Sequence, residues 1–164
     1  MKKIVVVRHG KAVPYGYDDD FNRDLQDRGK NDAALIGKEL NKRNVLPDLI
    51  ISSPAKRAIK TARIFADNLG YAINSIQEER DIYDGLTTGE FIEMIHNLPE
   101  DVNTVFFFGH NPGFYYFVAN LVKEFRSDMP TTSTVGVDFN VKSWKEVEAR
   151  TGDMAFHLYP KLFK

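Results

Sequence analysis

Ile4-Val5-Val6-Val7-Arg8-His9-Gly10 is the stretch that decides both the fold and the chemistry of this chain. Its four consecutive β-branched residues predict a strand that is buried on both faces, as in a parallel sheet covered by helices. The strand ends abruptly in an arginine and a histidine. The glycine that follows has no Cβ, so a ligand or another backbone segment can approach the histidine closely. We interpret the carboxyl end of this strand as a functional site.

Strands and helices alternate along the rest of the chain, which predicts an α/β fold: a three-layer α/β/α sandwich around a mostly parallel sheet of about six strands. The connection before the last strand is short for a crossover, so we expect the closing strands to be antiparallel. A length of 164 residues fits one domain over residues 1–164. Hydrophobic patterns predict strands at 3–8, 48–52, 71–76, 104–108, 134–141 and 153–158, and helices at 27–43, 53–69, 88–97 and 111–124.

Composition limits what the site can bind. A net charge of −1 predicts no general affinity for nucleic acid or for acidic membranes, so any anion site must be local. The chain has no cysteine, which excludes thiolate catalysis and cysteine-bound metals and suits a reducing compartment. No apolar run reaches the roughly 18 residues of a membrane span. We therefore expect a soluble cytoplasmic protein.

Two further motifs lie where predicted strands give way to helices. Ser53 and Pro54 are typical of a helix cap and first turn, and they place Arg57 near free backbone N–H groups that attract anions. His110 stands directly before a second cap-and-proline pair, Asn111-Pro112. Taken singly, Arg57 reads as a surface arginine and His110 as a hydrogen-bonded structural histidine. His96 and His157 lack such a context, and we interpret them as structural or exposed.

Ligands of parallel sheets bind beyond the carboxyl ends of the strands, and all of these motifs fall there. The sequence therefore brings two arginines and two histidines to one edge of the sheet. Such a set suits phosphoryl transfer, in which positioning and electrostatic stabilisation do most of the work.

These segments, in their order and spacing, resemble the histidine phosphatase superfamily, and specifically its small SixA-like phosphohistidine phosphatase branch. The resemblance covers nearly the whole chain and also includes the stretch from Arg23-Asp24-Leu25 to Gly29 and the Thr61-Ala62 pair. Larger relatives insert helices over the site, whereas this chain has room for no large cap subdomain. One departure is Asp24, which stands where the SixA-like pattern usually has proline.

The resemblance implies roles for individual residues. His9 would be the nucleophile and would become transiently phosphorylated. Arg8, Arg57 and His110 would surround the phosphoryl oxygens, with Gly10 beside them, and Arg23 would be a further phosphate or substrate contact. An arginine suits this task because its planar fork can bind two oxygens of one phosphate.

The resemblance also implies a carboxylate after the third strand that protonates the leaving group. That region contains four carboxylates, and the resemblance favours Asp81 among Glu78, Glu79, Asp81 and Asp84. A phosphohistidine releases imidazole, which needs such an acid less than an alkoxide does. We expect no metal and no other cofactor, and we interpret the acidic run Asp18-Asp19-Asp20 as a solvated loop.

Three functions remain open from the sequence. The first is a metal-independent phosphatase that acts on phosphohistidine, on a phosphorylated protein. The second is a phosphomonoesterase or mutase whose substrate is a small phosphorylated metabolite. The third is a non-catalytic module that binds phosphate. The presence of His9 and of both arginines favours an enzyme over the third.

Overall fold

The computed structural model describes residues 1–14, 16 and 19–164, and within them it shows one six-stranded sheet with helices on both faces. The strands are β1 (Lys2–Arg8), β2 (Leu49–Ser52), β3 (Gln77–Glu78), β4 (Thr104–Gly109), β5 (Thr134–Phe139) and β6 (Asp153–Leu158). The helices are α1 (Asp27–Lys42), α2 (Lys56–Leu69), α3 (Arg80–Asp84), α4 (Thr88–His96) and α5 (Gly113–Leu121).

The sheet has the order β3-β2-β4-β1-β5-β6. Strands β3, β2, β4 and β1 are parallel, whereas β5 is antiparallel to β1 and β6 is antiparallel to β5. The carboxyl ends of β2, β4 and β1 therefore lie side by side at one edge. The predicted mostly parallel sheet with antiparallel closing strands is confirmed.

The alternating side chains of β1 enter two separate cores. Val5 and Val7 pack with the apolar faces of α1 and α2, while Ile4 and Val6 pack with α4 and α5 on the other side. All four side chains are fully buried. This arrangement confirms the three-layer sandwich, and no separate cap subdomain is present in the residues that the structure describes.

The predicted strand over 71–76 is wrong. Residues Ile73–Ser75 form a 3-10 turn, and the third strand is the two-residue β3 that follows it. The reason is Tyr71, whose hydroxyl accepts a hydrogen bond from the Ile50 N–H of β2 (3.4 Å) and donates one to the Ser75 carbonyl (3.0 Å). The Tyr71 hydroxyl thus bonds to the Ile50 N–H of β2, where the backbone of the predicted strand would pair.

The predicted beginnings of two helices also need correction. Helix α2 begins at Lys56, because Ser53 Oγ accepts the N–H of Ala55 (3.2 Å) and does not cap the helix itself. Helix α5 begins at Gly113 and ends at Leu121, and the Asn111 side chain donates to the Met129 carbonyl (3.1 Å), so it caps no helix.

Other limits match more closely. Gly70, with a φ of 72°, ends α2 as its position predicts, because glycine adopts this left-handed conformation at little cost. Strand β5 ends at Phe139, two residues early. None of the described helices combines the length and apolarity that crossing a membrane requires.

Candidate active site

The three sequence motifs meet at the carboxyl edge of the sheet. Arg8 pairs with Gly109 in the β1–β4 register, and the ladder continues through the bond from His9 N–H to the Gly109 carbonyl (3.0 Å). The N–H of Ser53 bonds to the Phe108 carbonyl (2.9 Å). As a result the rings of His9 and His110 lie 5.3 Å apart, centroid to centroid.

His9 is held in one tautomer. Its Nδ1 lies 2.7 Å from the carbonyl oxygen of Gly10. A carbonyl can only accept, so Nδ1 carries the proton and Nε2 keeps its lone pair. The side chain is 8% exposed, and burial lowers its pKa to about 4, with the charges of Arg57 and Arg8 acting in the same direction. At neutral pH the His9 ring is therefore uncharged, and its Nε2 carries a lone pair.

His110 is also neutral. Its Nε2 lies 2.7 Å from the hydroxyl oxygen of Ser53. Burial lowers the pKa of His110 to about 3, and the neighbouring His9 and Arg57 add to the effect. When the Ser53 hydroxyl donates to Nε2, the proton of His110 sits on Nδ1, which becomes a hydrogen-bond donor.

Arg57 projects from the first turn of α2 and is 5% exposed. The Thr61 hydroxyl connects this turn to the loop after β1, because it donates to the Arg57 carbonyl (2.7 Å) and accepts the Gly10 N–H (3.0 Å). Since Thr61 follows Arg57 by four residues, both lie on one helix face. Arg57 is therefore fixed relative to His9.

Arg8 reaches the loop that precedes β5. Its Nη1 donates to the Met129 carbonyl (2.9 Å), and the backbone carbonyls of Arg8 and His9 accept the Thr132 N–H. Burial lowers the pKa of Arg8, but an arginine remains charged at neutral pH.

Three nitrogens of this site are buried and have no hydrogen-bond partner among the described residues: Arg8 Nε, Arg57 Nε and His110 Nδ1. Buried donors without partners are rare in folded proteins because each costs about 1–3 kcal/mol. A bound oxyanion would supply acceptors to such a set. The arrangement suits an anion bound beside the uncharged His9 ring.

Asp20 is a site residue that the sequence analysis missed. Its carbonyl accepts from Arg57 Nη1 (2.6 Å), and its carboxylate accepts from Arg57 Nη2 (3.1 Å) and from Arg23 Nε (3.1 Å). The interpretation of the acidic run as a solvated loop is wrong for Asp20, while Asp18 lies outside the described residues. The sequence indicates this role only through the spacing of Asp20 and Arg23, because residues three apart can form an ion pair across one helical turn.

Arg23 and Gly10 are both at the site. Arg23 Nη1 also donates to the Val13 carbonyl (2.9 Å), which braces the loop, and its charge lowers the pKa of His9. A Cβ on Gly10 would lie 2.9 Å from the carbonyl oxygen of Gly29. Gly10 allows the close approach of a ligand or of a backbone segment. The structure shows a backbone segment there, the first turn of α1.

None of the hydrogen bonds or ion pairs described for the carboxylates after β3 involves His9 or His110. Asp81 lines a separate cleft together with Glu78 and Glu79, and Asp84 pairs with Arg80 (3.2 Å). Helix α3 presents Tyr83 to the site in their place. Its hydroxyl donates to Asp20 (2.7 Å) and its ring lies 5.6 Å from that of His110.

The two remaining histidines have structural contacts. His96 Nε2 lies 2.7 Å from the Val147 carbonyl, and His157 Nε2 lies 3.3 Å from the Ser133 hydroxyl. Among the described residues, no group of three or more histidine, aspartate or glutamate side chains is placed to hold a metal ion.

Comparison with known proteins gives the same picture. Residues 4–114 match the family model of the histidine phosphatase superfamily (branch 1). Phosphoserine phosphatase 1 of Hydrogenobacter thermophilus is 35% identical over 107 residues, which covers 62% of this chain and 49% of that protein. A 2,3-bisphosphoglycerate-dependent phosphoglycerate mutase of an Arthrobacter species is 41% identical over 71 residues, which covers 40% of this chain and 27% of the mutase.

A solved structure shows the same fold over its whole length. The protein histidine phosphatase SixA, complexed with tungstate, superposes with a TM-score of 0.85 at 22% identity and covers 99% of both chains. The chain spans half or less of the length of the two curated relatives above. It belongs to the histidine phosphatase superfamily (branch 1) and has the fold of the SixA structure.

Proposed function

We propose that this protein is a phosphatase that transfers a phosphoryl group to His9 Nε2 and then to water, and that its substrate is a phosphohistidine on another protein. The observation that carries the proposal is the state of His9. Its proton is fixed on Nδ1 by the Gly10 carbonyl, and its low pKa keeps Nε2 unprotonated. A nucleophile of this kind needs no separate base.

In the first step the Nε2 lone pair attacks phosphorus, and the electron pair of the broken bond departs with the leaving group. Arg8, Arg57 and His110 supply donors to the phosphoryl oxygens, where charge accumulates in the transition state. In the second step a water attacks phosphorus, the bond to Nε2 breaks, and inorganic phosphate is released. Both steps use the same anion site.

The carboxylates of the structure support this choice of substrate class. Asp20, which contacts Arg57, accepts hydrogen bonds at both oxygens, so it has no proton to give. Asp81 lines another cleft. A leaving group that departs readily without an acid suits this site, and imidazole is such a group because its ring nitrogen is far less basic than an alkoxide. The proposal therefore needs neither a metal nor a carboxylic acid.

A second candidate is hydrolysis of small phosphorylated metabolites. It is favoured by the sequence relatives, which are a phosphoserine phosphatase and a phosphoglycerate mutase. The third possibility, binding without catalysis, is the least supported, because His9, Arg8, Arg57 and His110 are all present and adjacent.

The test is a side-by-side assay with chelator present. We expect turnover of a phosphohistidine protein and of p-nitrophenyl phosphate, with at most slow turnover of phosphoserine and phosphoglycerates. Labelled phosphate should appear transiently on His9 as an acid-labile, alkali-stable adduct, and His9→Gln should abolish both label and turnover. Efficient hydrolysis of the metabolites with none of phosphohistidine would favour the second candidate instead. Full activity of His9→Gln would refute the mechanism.

A further inference from the structure

A cleft of about 580 Å³ opens beside the proposed phosphate site. One side is formed by the start of α5 and the other by the loop before β5. Arg8 connects the cleft to the site, because its side chain lines the cleft and its backbone ends β1 directly before His9. A group that contacts Arg8 in the cleft would therefore share this residue with a phosphoryl group bound at His9.

The walls of the cleft are mainly aromatic and apolar, with Tyr115, Tyr116, Pro112, Met129 and Pro130 among the lining residues. Tyr116 is 56% exposed, which is high for a large apolar side chain. Its ring lies 5.5 Å from that of Tyr115, which in turn lies 5.7 Å from Phe125. These ring contacts support Tyr116 from one side and leave its other face open.

The chemistry of this wall distinguishes between kinds of substrate. A small phosphorylated metabolite carries hydroxyl or carboxylate groups, and sites for such ligands place several polar groups to orient them. The cleft has polar side chains at Arg8, Asn111 and Asp128, but five of its eight lining residues are tyrosine, proline or methionine. Tyrosine, methionine and arginine are instead the residues enriched where proteins contact polypeptides.

We propose that this cleft binds the polypeptide that flanks the phosphohistidine of a protein substrate, with Tyr116 as the main contact. The inference rests on the proposed function and extends it to the recognition of the substrate. The volume exceeds what a phosphoryl group needs, and the shared Arg8 keeps the flanking chain next to the transferred group.

The experiment compares two substrates on each variant: a protein that carries one phosphohistidine, and free phosphohistidine. We expect Tyr116→Ala to lower kcat/KM for the protein by about 5-fold to 30-fold, the range of a 1–2 kcal/mol interface contact. The value for free phosphohistidine should not change. Tyr116→Phe keeps the ring and should retain most of the activity on the protein.

Ile73→Ala is the matched control, because Ile73 is a 44% exposed apolar residue that follows α2 and does not line the cleft. It should leave both values unchanged. An equal loss on both substrates with Tyr116→Ala would overturn the inference and assign Tyr116 to the phosphoryl site. No loss on either would show that the cleft binds no substrate. Inactivity of the unmodified enzyme on both phosphohistidine substrates would instead refute the proposed function.

Discussion

The pKa of His9 is the property on which the proposed chemistry depends most, and it can be measured directly. An ordinary histidine titrates near pH 6.5, whereas burial and the charges of Arg57, Arg8 and Arg23 lower the pKa of His9 to about 4. At pH 5.5 a pKa of 4 leaves about 97% of the side chain neutral, against about 10% for a pKa of 6.5. We therefore expect a tenfold larger nucleophilic fraction at pH 5.5 than an exposed histidine would provide.

The assay is a titration of the histidine ring Cε1–H signals by NMR between pH 3 and pH 8. The chain has four histidines, and the His9→Gln variant identifies the signal of His9 by its loss. In kinetics, the pH dependence of kcat/KM reports the pKa values of the free enzyme, so kcat/KM should decrease on the acid side with a midpoint near pH 4. A midpoint of His9 near pH 6.5 would refute the reasoning, since most of the nucleophile would then be protonated in weakly acidic solution.

The same shift has a consequence for stability, with a defined sign. In the unfolded chain a histidine binds its proton near pH 6.5, but folded His9 and His110 bind theirs only near pH 4 and pH 3. The folded state therefore loses stability as the pH falls below 6.5, and the loss is complete below the folded pKa values. Each histidine contributes up to about 1.4 kcal/mol per pH unit in this window. Urea unfolding of the native protein and of His9→Gln at pH 7 and pH 5 measures the contribution of His9. An equal change in the free energy of unfolding of the two proteins would contradict it.

Three further changes test the site. Arg57→Lys keeps the charge but loses the planar fork, and kcat for p-nitrophenyl phosphate should fall by about 10²-fold to 10³-fold; a loss below tenfold would count against Arg57 as a transition-state contact. Asp20→Ala removes a carboxylate that shares Arg57 with the substrate, so inhibition by inorganic phosphate should become about 3-fold to 10-fold tighter; unchanged or weaker inhibition would contradict this. Gly10→Ala places a Cβ against the Gly29 carbonyl, where neither backbone can give way easily. It should lower the free energy of unfolding by about 1–3 kcal/mol in urea titrations, and an unchanged midpoint would show that α1 can move aside.

The parts of the fold that the sequence predicts are those set by local patterns. The runs Ile4–Val7 and Val105–Phe108 are apolar without alternation, which identifies buried parallel strands whatever surrounds them. Because parallel strands end at the same edge, His9 and His110 are adjacent by topology alone. For this reason the residues of the proposed anion site could be predicted from the sequence.

The parts that the sequence does not predict depend on contacts between distant residues. The Tyr71 hydroxyl accepts the Ile50 N–H where a strand was predicted to pair. No hydrophobic pattern in the sequence indicates such a contact. Asp20 reads as one member of a polar loop, yet it joins Arg57, 37 positions away, and Tyr83, 63 positions away. Residues brought together by tertiary contacts show no local pattern. The candidate acid Asp81 was therefore chosen by the family resemblance, from four carboxylates in one region of the sequence.

The Gly10 carbonyl links the two halves of the proposed reaction. When the neutral His9 ring forms a bond from Nε2 to phosphorus, Nδ1 keeps its proton and the ring becomes cationic. The bond from Nδ1–H to the Gly10 carbonyl then acts on a charged donor and strengthens, as its raising effect on the pKa of His9 indicates. Because a cationic ring leaves phosphorus as neutral imidazole, the attack of water in the second step needs no acid to protonate His9. The same argument applies in the first step to a phosphohistidine substrate whose second ring nitrogen carries a proton, so neither step of such a transfer between imidazole rings requires a carboxylic acid.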